Sequence, residues 1–122
     1  MPTFGENSTK NLKELDPDLQ AVLEEAIKHY DFSIVCGHRG MEDQNQAFKD
    51  GFSKVRWPNS MHNKSPSLAA DIIPYPSGYS DIGEFFKMIT YVYQAASELG
   101  IPIEWGGHWK MKDYPHIQLL LY

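Results

Sequence analysis

Four side chains of this sequence have settings that could support hydrolytic chemistry. Asp71 sits in the apolar run Leu68 to Ile73. Strand alternation there puts Leu68, Ala70 and Ile72 on one face and Asp71 on the other, with Ala69 and Ile73. A carboxylate among aliphatic neighbours is costly to bury unless a cation, a metal or several donors meet it. An Asp accepting backbone N–H bonds at a strand end would satisfy the same need. The last apolar run, His116 to Leu121, points Ile117, Leu119 and Leu121 to a core, so His116 and Gln118 face a groove. His62 lies nine positions before Asp71, on a long loop. Two imidazoles and one carboxylate form a common open zinc set, and such nitrogen and oxygen donors suit zinc better than calcium or magnesium. Asp113, three positions before His116, belongs to the turn before the strand and can lean over the same groove to accept a proton from an attacking water. The spacing is not that of a His-Glu-x-x-His helix, so the residues alone leave the structural alternatives open.

The elements that must carry these groups follow from the pattern. Asp16-Pro17 is a helix start, and Leu19, Val22, Leu23, Ala26, Ile27 and Tyr30 continue it as one apolar stripe. Phe32 to Cys36 reads as a buried strand closed by Gly37. Met41 to Asp50 reads as a short helix that ends at Gly51 and turns Ala47 and Phe48 inward. Residues 52 to 67 form a loop long enough to suggest function. After the strand Leu68 to Ile73, Asp81 caps a second long helix, with Glu84 placed for a capping box. Its stripe is Ile82, Phe85, Phe86, Ile89, Val92, Tyr93, Ala96 and Leu99, and Gly100 ends it. Ile101 to Trp105 is a strand, Gly106-Gly107 a turn, and the final strand follows. The links between the last strands are too short for crossovers. The expected fold is therefore α+β, a small and largely antiparallel sheet packed with helices, in one domain over residues 1–122.

Composition removes several function classes. The 122 residues include 11 Lys+Arg against 16 Asp+Glu, a net charge of -5 with no run of five like charges, so nucleic acid is not an expected partner. The single cysteine, Cys36, excludes an internal disulfide and a cysteine-rich zinc site. No base is evident beside Cys36, and neither Ser60 nor Ser67 sits in a nucleophile elbow. The apolar stretches are too short for membrane insertion, and no signal-peptide pattern opens the chain, so synthesis in a cytoplasm is expected.

Several motifs occur in a telling order: Gly37-His38-Arg39 with Gln44, Ser60-Met61-His62, Ala69-Ala70-Asp71-Ile72, Trp105-Gly106-Gly107 and Asp113-Tyr114-Pro115-His116. Over residues 30 to 120 the chain resembles the zinc peptidases, of vancomycin-resistance type, that cleave D-alanyl-D-alanine or L-alanyl-D-glutamate bonds in peptidoglycan. The small phage endolysins with L-alanyl-D-glutamate endopeptidase activity are the nearest in look. The resemblance implies a hedgehog/DD-peptidase-like fold and one zinc ion held by His62, Asp71 and His116. It further implies Asp113 as general base, Arg39 as the cation that stabilises the substrate carbonyl or oxyanion, and Ser60 and Gln44 as substrate-binding positions. Trp105, Trp57, Trp109 and Tyr114 are candidates to line the cleft, with core packing the alternative for Trp105. The implied partner is a peptidoglycan stem peptide, attacked by a monomer at the cell wall after release. A D-alanyl-D-alanine carboxypeptidase or dipeptidase, or a non-catalytic wall-binding relative, are the other readings. The interval Asn63-Lys64-Ser65-Pro66-Ser67 is longer than the common form, and His108 stands where a small polar or acidic residue is expected.

Overall fold

A computed structural model describes residues 2–120; Leu121, expected on the core face of the last strand, lies outside the described residues. Four strands form one antiparallel sheet in the order β1-β2-β4-β3: β1 (Phe32–Cys36), β2 (Ala69–Pro74), β3 (Ile103–Trp105) and β4 (His116–Leu119). Its inner face carries Ile34, Ala70, Ile72, Ile103, Ile117 and Leu119, all buried. Helices α2 (Pro17–Ala26) and α4 (Ile82–Leu99) cover it with Leu19, Val22 and Leu23 from one and Phe85, Met88, Ile89 and Val92 from the other. Each such side chain contributes about 1.5–3 kcal/mol by leaving water.

Helix α2 starts where the sequence places it: the Asp16 carboxylate accepts from Asp18 N–H at 2.9 Å and Pro17 fills the first position. A first helix, α1 (Glu6–Leu12), was not expected. It buries only Ser8 and Leu12, so it has no apolar stripe. Side-chain bonds to β1 hold it instead: Ser8 Oγ accepts from Ile34 N–H, and Asn11 Nδ2 donates to the Ile34 carbonyl.

Two helices differ from expectation in the face they bury. In α3 (Met41–Lys49) the buried residue is Gln44, while Ala47 and Phe48 are half-buried. In α4 the buried stripe is rotated to include Met88 and Ala95, leaving Ile82, Phe86 and Leu99 exposed. Asp81 caps α4 through Gly83 N–H, but Glu84 makes no capping box. Its carboxylate accepts instead from the Tyr30 hydroxyl and from Lys87. No helix among the described residues is long and apolar enough to cross a membrane.

Gly106 and Gly107 are required by close approach. A Cβ at Gly106 would lie 2.4 Å from the Asp113 carbonyl oxygen, and one at Gly107 would lie 2.4 Å from the Trp105 indole. Gly107→Ala should therefore cost about 1–3 kcal/mol by overpacking, read as a lower denaturant midpoint at unchanged slope.

Candidate metal centre and catalytic cleft

The register of β2 against β4 sets Asp71 directly opposite His116 on the outer face of the sheet. Adjacent strands thus present a carboxylate and an imidazole side by side. His62 arrives from the long loop on a single 3-10 turn, Met61–Asn63. That turn is pinned to the Gly37-His38-Arg39 segment: Arg39 N–H donates to the His62 carbonyl at 2.8 Å and Asn63 Nδ2 to the Arg39 carbonyl at 2.9 Å. The long interval before β2 is anchored in turn, since Ser67 N–H bonds Glu14 and Asp16 N–H bonds Ser67.

The three side chains meet. His62 Nε2 lies 3.3 Å and His116 Nδ1 3.6 Å from the same Asp71 oxygen, Oδ1, and the ligand atoms of all three fall within 4.8 Å of one another. His62 Nε2 is buried yet has no aligned hydrogen-bond partner. A buried polar nitrogen left this way is costly unless something else occupies the point it faces. The far nitrogens are engaged: His62 Nδ1 is 2.8 Å from the Gly37 carbonyl, and His116 Nε2 is 2.7 Å from Gln118 Oε1. In the neutral rings those far nitrogens donate, which leaves His62 Nε2 and His116 Nδ1 as lone pairs facing Asp71. Metal-binding histidines are held in this way. The cluster fits a metal ion with oxygen and nitrogen preference.

Electrostatics agree. In the metal-free molecule burial pulls the His62 pKa down, but the Asp71 carboxylate and Cys36 outweigh it and raise it to about 10. Burial would raise Asp71, yet His116 and His62 hold its carboxyl well below the usual range. Asp113 is shifted up, by burial first and then by the charge of Asp71, against His116, His62 and Arg39. A carboxylate raised toward working pH is a better proton acceptor.

Arg39 donates through Nη2 to Asp71 Oδ2 at 3.3 Å and through Nη1 to Gln44 at 3.1 Å. All of these groups except Gln44 open onto one cleft of about 640 Å³ that also includes Ser60, Tyr79, Trp109 and Gln118.

Of the residues expected at the site, His62, Asp71, His116, Asp113, Arg39 and Ser60 come together there. Two do not. Gln44 is fully buried, bonding Arg39, Asn63, Ser53 and the Val55 carbonyl, so it positions its neighbours and has no surface for substrate. Trp105 is also buried, with its Nε1–H donated to the Tyr114 carbonyl, and belongs to the core. A third expectation is corrected: a base does stand near Cys36, as His62 Nδ1 is 3.9 Å from its sulfur. That nitrogen is committed to Gly37. His108 is an exposed turn residue set edge-on to Trp105 and tilted against Tyr93. Sequence reasoning missed the support behind His116, where Gln118 receives its ring proton and donates to Glu104 at 3.3 Å. Period-two alternation placed Gln118 on the correct face and was the available signal.

Comparisons with known proteins complete the picture. The sequence profile of the phage L-alanyl-D-glutamate peptidase family matches residues 2–119. The chain belongs to that family. The L-alanyl-D-glutamate peptidase of Escherichia phage T5 is 31% identical over 121 residues, covering 95% of this chain and 88% of the relative. The crystal structure of the Serratia marcescens L-Ala D-Glu endopeptidase ChiX superposes with a TM-score of 0.84 at 32% identity, covering 97% of this chain and 90% of that one. As a family member the chain is a peptidase, a hydrolase, and its α+β fold is shared.

Three outcomes are expected. His62, raised, stabilises the metal-free fold below its unfolded pKa of about 6.5, and that contribution is lost as the pH rises through about 10. Asp71, lowered, contributes above about 3.9 and loses this only in acid. The metal-free protein should therefore melt higher at pH 6 than above pH 10, and metal uptake at pH 7 should expel about one proton, read by calorimetry in buffers of different ionisation enthalpy. Gln118→Leu should weaken metal binding by about 10–100-fold while the fold persists, measured by chelator competition.

Proposed function

We propose that this chain is a zinc endopeptidase of endolysin type, which hydrolyses the L-alanyl-D-glutamate bond of peptidoglycan stem peptides and so opens the bacterial cell wall. It acts as a monomer through one catalytic domain, after release from the cytoplasm in which it is made. The observation that carries this reading is the convergence of His62, Asp71 and His116 beside Asp113 in one cleft, in a member of this family.

His62, Asp71 and His116 would hold the zinc ion, each imidazole fixed in tautomer by its far nitrogen. Zinc in such a set supplies Lewis acidity toward a carbonyl and makes water acidic enough to ionise near pH 7. Asp113 takes the proton of the attacking water and returns it to the departing amine. Its raised pKa suits both transfers. Arg39, held in place by Asp71 and Gln44, offers a fixed positive charge to the carbonyl oxygen as that oxygen becomes negative. The Ser60 oxygen accepts from His62 N–H at 3.2 Å, which leaves the hydroxyl proton for the bound peptide.

The decisive assay is digestion of purified peptidoglycan by zinc-loaded protein, with the new termini identified by mass spectrometry. New N-terminal D-glutamate is expected, and released D-alanine in its place would overturn the assigned bond. Asp113→Asn should bind zinc normally and lose about 10²–10⁴-fold in kcat. His116→Ala should lose both metal and turnover.

A further inference from the structure

The cleft has two walls that the chemistry above does not use. Gly51 to Val55 forms one and Trp109 to Lys112 the other. Each presents an exposed apolar tip, Phe52 at 82% and Met111 at 58% exposure, next to an exposed lysine, Lys54 or Lys112. Neither lysine has an ion-pair partner among the described residues. The third cation of the cleft, Arg39, is held by Asp71 and Gln44 and is assigned above to the scissile carbonyl. The cleft also holds two carboxyls, Asp71 and Asp113, in a chain of net charge -5.

This bears on which peptide the cleft accepts, and the inference rests on the reading just proposed. A glutamate joined into a peptide through one carboxyl keeps the other, so an alanyl-glutamyl amide carries a free carboxylate within a few bonds of the scissile bond. With the metal cluster, Asp113 and Arg39 assigned to the scissile bond, a carboxylate a few bonds away needs cations outside that cluster to meet it. We propose that Lys54 and Lys112 form the subsite for this free carboxylate, one from each wall, and so select an acidic residue on the leaving side of the cut bond. Phe52 and Met111 cover the aliphatic part of the same peptide. The lysines stand at the solvent-exposed mouth, so the attraction is screened by salt and acts on binding rather than on the chemical step.

Two synthetic peptides test this, identical except that the free glutamate carboxyl is a carboxylate in one and a carboxamide in the other. The zinc-loaded wild type should prefer the carboxylate by about tenfold in kcat/KM, with the difference in KM and shrinking as salt rises. Lys54→Gln with Lys112→Gln should remove that preference and leave the carboxamide rate within about twofold, which also shows that the double variant folds. The single variants apportion the effect, and Lys28→Gln, on a surface remote from the cleft, should change nothing. Equal loss on both peptides, or no loss on either, overturns the subsite. Should the wild type cut neither peptide, the bond assignment fails. Titration of both peptides against the Asp113→Asn protein, followed by tryptophan fluorescence, then decides the lysine subsite alone: tighter carboxylate binding abolished by the double variant supports it, and equal binding rejects it.

Discussion

The pairing of β2 with β4 is the constraint on which the site depends. Asp71 and His116 are direct partners across that ladder, so their side chains leave the sheet together on one face. The opposite face of the same two strands carries Ala70, Ile72, Ile117 and Leu119, all in the core. A slip of one residue would exchange the faces of a whole strand, sending an imidazole or a carboxylate into the aliphatic core. The hydrophobic core therefore specifies the register, and the register brings together two of the three candidate ligands. Stability and site geometry have the same cause.

The remaining groups reach the site on irregular backbone, which lacks a ladder to fix it. Hydrogen bonds do that work. Arg39 and His62 exchange contacts through backbone and Asn63, while buried Gln44 ties Arg39, Asn63 and the wall at Ser53 and Val55 to one side chain. On the far side, the Asp113 N–H donates to the Gly106 carbonyl at 3.0 Å, and the missing Cβ of Gly106 lets that turn approach. The short motifs spread along the sequence thus read as two structural units, one holding His62 against Arg39 and the other holding Asp113 over His116.

Legibility in the sequence followed the kind of force involved. The strands, α2 and the outward turn of His116 and Asp71 were readable because apolar periodicity reports the core directly. Helix α1 was not, since Ser8 and Asn11 secure it by polar bonds that leave no periodic trace. The face of α4 came out rotated because Phe86 looks like a core residue, although it is half exposed while its ring packs on Trp105 and Tyr114. Gln44 and Trp105 show the converse limit. A motif position says that a residue matters, but not whether it touches substrate or holds the residue that does. Gln44 is polar enough to suggest a ligand contact, yet every polar bond it makes is internal.

Charge explains why these particular groups are gathered. With both imidazoles neutral, one guanidinium faces two carboxylates, Asp71 and Asp113, so the inner cleft carries a net negative charge. That sign would favour a divalent cation, and Asp71, with Cys36, also holds the His62 pKa up. A dication in the cluster would reverse the sign to positive, which is what negative charge growing on a carbonyl oxygen requires. Asp71 is central to both states. It pairs with Arg39 through Oδ2 and faces both imidazoles through Oδ1, so one carboxylate couples the metal position to the cation beside it. Replacing it by Asn would keep the shape but remove the shared charge, and Arg39 and the imidazoles would lose their common anchor together.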